Sequence, residues 1–264
     1  MEIRKLKPIT AGQRHQIVLS KGLLSKNNSF VKTLLEDFHR KKGRCLNTGR
    51  ITVRHKGGGC KKLYRKINFG NFWGKAIVVA NFYDPYRNSF VSLVFDVAKK
   101  KFDFILTTEH VFPGSFLMSD FEYRFLDLKL GFRTWIKNIA PGSFIHNLSL
   151  KRLQKAKYIR SAGTRGQIIQ KTLTESKIRL PSGSIVIVSN EAVGTIGISS
   201  NVKHKLTVTG KAGRNRLRGI RPSVRGIAMN PVDHPHGGKS NGGRTGGVTP
   251  WAKPTRGKPT RKKR

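Results

Sequence analysis

The chain has 264 residues, with 53 Lys plus Arg against 13 Asp plus Glu and a formal net charge of +40. A compact fold carrying that excess repels itself, so the composition argues against an ordinary soluble enzyme and calls for a polyanionic partner, with nucleic acid ahead of an acidic membrane surface. A 37% hydrophobic fraction with 15 Phe allows one or two small cores beside extended basic arms.

The N-terminal run MEIRKLKPITAGQRH is charged and has no apolar centre, so neither a secretory signal nor a transit peptide is expected. No stretch approaches 18 uncharged apolar residues, so no membrane span is expected either. Phe30, Leu34, Leu35 and Phe38 fall near helical spacing behind Ser29, a fair N-cap, and predict a helix over 29–38. Residues 1–42 read as an extension that docks rather than a domain. From 43 the pattern turns to strands, with Ile51 and Val53 alternating in 49–55. Cys45 and Cys60 lack a CxxC partner, which suits free thiols in a reducing compartment. Gly57, Gly58 and Gly59 lie among Arg54, His55, Lys56, Lys61 and Lys62. A backbone without side chains can lie against phosphates there, although a flexible hairpin turn has the same composition.

Residues 63–127 are β-rich. Strands are predicted over 76–80, 90–95 and 102–106, with a turn at Tyr83-Asp84-Pro85-Tyr86-Arg87-Asn88. Seven of the 13 acidic residues lie between Asp84 and Asp127, which marks this stretch as an ordinary folded core. Residues 128–200 continue with short strands at 144–148, 166–170 and 185–188 between glycine turns. Strands this short and frequent suggest small barrels rather than a wound α/β sheet. Residues 201–264 hold 17 Lys plus Arg, 11 Gly, six Pro and a single acid, Asp233. That composition buries too little apolar surface to fold alone, so the segment is expected to be extended or ordered only on its partner, with a basic tail from Gly257 to Arg264.

Asp233, His234 and His236 form the one cluster where catalysis or a metal is conceivable. The run offers no nucleophile elbow and no paired carboxylates, and adjacent Asp and His side chains do not face each other in an extended segment. Three ligands in a strongly positive field make a poor metal site. The favoured reading is a loop packed in RNA, where a His stacks on a base or donates to phosphate while Pro and Gly fix the path. Tyr64-Arg65-Lys66 and Trp251 are candidates for stacking on unpaired bases, with core packing as the competing reading for Tyr64. Phe residues between 69 and 132 are read as core. Neither GxGxxG after a strand nor GxxxxGK[ST] occurs.

Several runs together resemble the universal large-subunit ribosomal protein L-two family. The strongest is GKAGRNRLRGIRPSVRGIAMNPVDHPHGG, Gly210 to Gly238. Lys7-Pro8, Gly12-Gln13-Arg14-His15, GRITVRHKGGG at 49–59 and YDPYRN at 83–88 also match. PGSFIHN at 141–147, RSAGT at 160–164, LPSG at 180–183 and VTPW at 248–251 add support.

The resemblance implies an OB-fold barrel (43–127) followed by an SH3-like barrel (128–200), with a basic N-terminal arm (1–42) and C-terminal arm (201–264) in rRNA. It implies a non-enzymatic constituent of the large ribosomal subunit that supports subunit assembly, subunit association and the peptidyl transferase region. The expected partners are large-subunit rRNA, neighbouring ribosomal proteins and, across a bridge, the small subunit, with no membrane and no homo-oligomer. No cofactor is expected beyond Mg ions shared with rRNA.

The expected rRNA-binding residues begin with Arg50, Arg54, His55, Lys56, the three glycines, Lys61, Lys62 and Arg65. Arg160, Arg214, Arg216, Arg218, Arg221 and Arg225 continue the set, which ends with Asn230, His234, His236, Gly237, Gly238 and Trp251. Met229, Asn230, Pro231, Val232, Asp233, His234, Pro235 and His236 form the loop expected near the peptidyl transferase centre, with His234 at the family's near-catalytic position.

The chain departs from the family in three places. Lys151 to Tyr158 replaces a glycine-rich run, Cys60 stands where His commonly follows the glycines, and 89–135 matches poorly. The bias to Phe, Lys, Ile and Asn suits an AT-rich organelle genome. The expected location is therefore a mitochondrial ribosome, with bacterial cytoplasm or plastid as the alternative.

Overall fold

Alternating apolar residues between Leu63 and Ile196 become β-sheet in the computed structural model of the protein, which is mainly β. The structure describes residues 2–26, 29–37, 43–69, 74–119, 129–152, 154–238 and 246–255. Phe38, the stretch 120–128, Leu153 and the basic tail 257–264 lie outside the described residues. Two units are formed: Met1–Arg40 with Lys61–Ala212, and Lys41–Cys60 with Gly213–Arg264.

In the first unit, β1 (Ile3–Lys5) pairs antiparallel with β2 (Ile17–Leu19) across a short helix, α1 (Ala11–Arg14). Backbone bonds in both directions between Ile17 and Val208 tie this arm to 207–211. The predicted helix over 29–38 is shorter than expected. Helix α2 (Ser29–Thr33) ends early, and β3 (Leu35–Asp37) pairs antiparallel with β4 (Leu63–Arg65). Leu34 and Leu35 still meet the core around Val31, so pairing with β4 overrides the helical spacing beyond Thr33.

Among the described residues the main sheet has ten strands. Its first part comprises β5 (Gly74–Phe82), β6 (Val91–Asp96), β7 (Lys101–Leu106) and β8 (Phe116–Ser119), in spatial order β8-β5-β6-β7. The second comprises β9 (Arg133–Trp135), β10 (Phe144–His146), β11 (Gly166–Lys171), β12 (Glu175–Arg179), β13 (Ile185–Ser189) and β14 (Val193–Ile196). Its order is β13-β12-β11-β10-β14-β9, joined to the first part by one parallel pairing, Ser119 with Arg133. The predicted strands over 76–80, 90–95, 102–106, 144–148, 166–170 and 185–188 correspond to β5, β6, β7, β10, β11 and β13.

Each part has its own apolar interior. Ile136, Ile139, Ile145, Leu148, Ile168 and Ile178 centre that of the second part. The first part has two clusters, and β5 serves both. Ala76 and Val78 point into one, whereas Ala80 and Phe82 point into the other. The pairing of β5 with β6 shifts register between Val78 and Ala80, leaving Val79 as an extra, half-exposed residue. One inserted residue reverses the phase of a period-two strand, so a single bulge lets one strand line two cores.

Polar groups are also sealed in this unit. The side chain of Asp84 is fully buried, with Arg87 Nε at 2.7 Å and Arg65 at 4.0 Å, and its Oδ1 accepts from the Tyr86 N–H at 2.9 Å. That Asx turn is the physical form of the YDPYRN motif. Asp96 closes the β6–β7 turn by accepting from the N–H groups of Ala98 and Lys99.

The second unit is built differently. None of its described apolar side chains is buried. The strand predicted at 49–55 reduces to one bridge between Arg44 and Ile51, because Ile51 and Val53 find no core and the Thr52 and Val53 N–H groups turn back to the Gly43 carbonyl. Segment 213–238 was expected to be extended. Instead it carries most of a helix, α3 (Ala212–Leu217), and a 3-10 turn at Gly226–Ala228, held by backbone hydrogen bonds rather than apolar burial.

His146 is wholly buried and shares a 2.8 Å hydrogen bond with Thr108 Oγ1 through Nε2. Burial, aided by the Arg133 charge, lowers its pKa from 6.5 to about 3. Between those values the unfolded chain binds a proton that the folded chain refuses, so stability falls as pH drops from about 6.5 towards 3. Denaturant unfolding from pH 7 to pH 4 should show that loss, and His146→Gln should flatten it.

Candidate nucleic-acid interface

In the first unit, the Asx turn at Asp84 holds Arg87, whose side chain is 19% exposed, across two aromatic rings. Its guanidinium carbon lies 5.8 Å from the Tyr64 ring centre and 6.0 Å from that of Phe69. Arg160 reaches the same Phe69 ring from the other side of the sequence, at 4.8 Å. Tyr64 and Tyr86 meet edge to face at 5.3 Å, and the Tyr86 hydroxyl donates to the Lys62 carbonyl. These residues, with Asn88, Ser89, Leu106 and Ser161, line an open pocket of about 490 Å³. Aromatic faces beside fixed guanidinium planes are the chemistry of an unstacked base next to its phosphate.

Arg65 departs from the expected set. It is 3% exposed, turned in against Asp84, and burial lowers the pKa of its guanidinium. Arg87, half-buried, lines the pocket instead and was missed in sequence, where YDPYRN reads only as a turn. The signal was the Asp three residues before an Arg, which fixes the direction of that Arg.

In the second unit, the glycine run is zipped to 217–222. Gly57 N–H donates to the Gly219 carbonyl at 3.1 Å and Cys60 N–H to the Leu217 carbonyl at 3.0 Å. Arg221 N–H donates to the His55 carbonyl, and His55 Nδ1 lies 3.2 Å from the Pro222 carbonyl. A Cβ on Gly59, whose φ is +96°, would sit 2.8 Å from the Gly219 nitrogen. The bare backbone there serves another backbone, whereas Gly58 has open space around it. Gly57 to Cys60, Arg216, Leu217 and Arg221 surround a cleft of about 330 Å³. Arg50, Arg54, Lys56, Arg218 and Arg225 are exposed nearby in sequence, Arg214 is half-buried, and Arg54 lies 6.0 Å from the exposed Trp251 ring. In the first unit, Lys61 is exposed and Lys62 half-buried.

The MNPVDHPHGG loop closes on itself. Asp233 and His234 N–H groups donate to the Asn230 carbonyl, Gly237 N–H to that of His234, and Gly238 N–H to that of Met229. His234 is buried. Its Nδ1 accepts from the His236 N–H at 3.0 Å, and its ring fills the space where a Gly226 side chain would be, 2.6 Å from an added Cβ. His236 is half-buried, stacks 4.7 Å from His234, and through Nε2 accepts from the Val248 N–H. Asn230, Pro231, Val232, Asp233 and Pro235 form the exposed rim. Asp233 and His234 therefore form no acid–base pair, and no His, Cys, Asp and Glu group among the described residues could hold a metal.

Two family models match the chain: "Ribosomal Proteins L2, RNA binding N-terminal domain" over 31–119 and "Ribosomal Proteins L2, C-terminal domain" over 129–255. The chain belongs to the ribosomal protein L2 family. It is 42% identical to "Large ribosomal subunit protein uL2m" of Reclinomonas americana, covering 100% of this chain and 95% of that protein. It is 42% identical to uL2 of Wolbachia pipientis over the same shares, and 39% identical to uL2 of Dinoroseobacter shibae over 100% and 93%. Membership in the L2 family makes the chain an RNA-binding structural constituent of the large ribosomal subunit rather than an enzyme.

Gly226→Ala should displace the His234 ring and open the loop, measured as faster amide exchange at His236 and Gly238 while the β-sheet amides keep their protection. The glycine zipper gives a parallel expectation: Gly59→Ala should release the amides of Gly57 and Cys60.

Proposed function

We propose that the chain binds large-subunit rRNA by seating an unstacked base in the Tyr64–Phe69 pocket, with Arg87 and Arg160 on the flanking phosphates. The observation that carries this reading is the pair of guanidinium groups fixed over one aromatic floor, one of them by a buried carboxylate. The exposed cations of 50–61 and 214–225 extend the contact as phosphate ligands, and the zipped glycine run fixes their spacing. Trp251 offers a further stacking face. On this reading magnesium, where present, is shared with rRNA phosphates.

On this reading the chain supports assembly of the large subunit, its association with the small subunit and the region of peptidyl transfer. The self-closed loop presents Asn230 to Pro235 to RNA while His234 holds its shape from within. His234 acts as a positioning residue, and peptide-bond chemistry is left to RNA. The compositional bias and the mitochondrial relative support a mitochondrial ribosome. The Wolbachia relative, of equal identity, supports the bacterial alternative.

Binding of the full chain to large-subunit rRNA should weaken steeply with salt. Arg87→Ala and Arg160→Ala should each make the slope of log affinity against log salt shallower by about 0.7–0.9, the share of one phosphate contact. Tyr64→Ala should weaken binding by about 1–3 kcal/mol with the slope retained, as for a lost stacking face. Unaltered binding in all three would sink the pocket as the contact. Sedimentation of organelle and cytoplasmic extracts tests location, with comigration in the mitochondrial large subunit as the expected result.

A further inference from the structure

Trp135, at the end of β9, is half-buried; two cations lie over its ring, and a third is bonded to the backbone two residues beyond it. Lys137 Nζ stands 3.8 Å from the centre of its ring, and the Arg152 guanidinium 5.8 Å. Lys171, from β11, donates through Nζ to the Lys137 carbonyl at 2.9 Å, and burial lowers the pKa of its ammonium. Among the described residues no carboxylate pairs with any of the three. Like charges gathered at one ring repel, and a cation over an exposed aromatic face gains only about 0.5–1 kcal/mol. An added anion would relieve that repulsion.

Arg152 stands in the loop between β10 and β11, and it sets a charged side chain against an indole. The residues of the Tyr64–Phe69 pocket are not part of this cluster.

We infer that Trp135, Lys137, Arg152 and Lys171 form a second RNA-contact surface, where Lys137 and Arg152, ordered by the indole, each hold a backbone phosphate. This rests on the reading that the chain binds large-subunit rRNA. Charge complementarity selects the occupant, since three cations unpaired by carboxylates among the described residues stand beside one flat ring and the partner is a polyphosphate. An acidic protein segment is the competing occupant that the experiment must separate.

The test uses the full chain and in vitro transcribed large-subunit rRNA from 50 to 200 mM KCl. The double variant Lys137→Ala with Arg152→Ala should be shallower in salt slope by about 1.4–1.8, two contacts at 0.7–0.9 each. Arg152→Lys with Lys137 intact should keep the parent slope. If the alanine pair melts early, Lys137→Gln with Arg152→Gln retains the bulk of both side chains and should give the same loss of slope. A double variant with the parent slope overturns the inference, and a surface reserved for an acidic protein gives that same result. Arg160→Ala in the same series separates the two proposals. If it alone is shallower, the pocket stands and this surface falls. If Arg160→Ala and the double variant both keep the parent slope, the pocket reading fails with it.

Discussion

Thirteen carboxylates face 53 cationic side chains, and two of the carboxylates, Asp84 and Asp96, are completely buried. The protein thus uses scarce negative charge internally, to build turns, instead of neutralising its surface. Asp84 is the clearer case. It accepts from the backbone of its own turn, pairs with Arg87 and faces Arg65. Breaking a buried pair costs several kcal/mol because one charge is stranded, so the direction of Arg87 is strongly held. The remaining surface is left positive, and only an external polyanion can offset it.

The same constraint explains why the two units are made differently. The first concentrates the apolar residues into three clusters and can bury charge among them. The second has no buried apolar side chain among the described residues. It relies on backbone hydrogen bonds, glycines without room for a side chain, and one histidine ring packed on a glycine. Such a fold leaves nearly every described Arg and Lys of the unit outward. It exposes cations at defined spacing without the large interior that would otherwise be needed to order them.

Within this frame the His234 loop has a structural logic of its own. Catalysis requires a base with a free lone pair and a reachable proton. His234 instead uses its Nδ1 lone pair on the His236 N–H and its ring face on Gly226. The Asp and two His that look like an active site in one dimension act here as the interior and rim of a closed turn.

Charge, composition and period-two patterning determined by themselves that the chain is mainly β, suited to a polyanionic partner and rich in exposed cations, because those properties depend on residue type and local spacing. The motifs also located the glycine run and the MNPVDHPHGG loop. Tertiary structure alone decided which side of each element a residue faces. Arg65 is sealed and Arg87 lines the open pocket, although both face one buried carboxylate, 19 and three residues away in sequence. The helix predicted to Phe38 stops at Thr33 because β4 offers Leu35 a strand partner, and one bulge at Val79 divides β5 between two cores. Such choices are set by partners distant in sequence, and no local period records them.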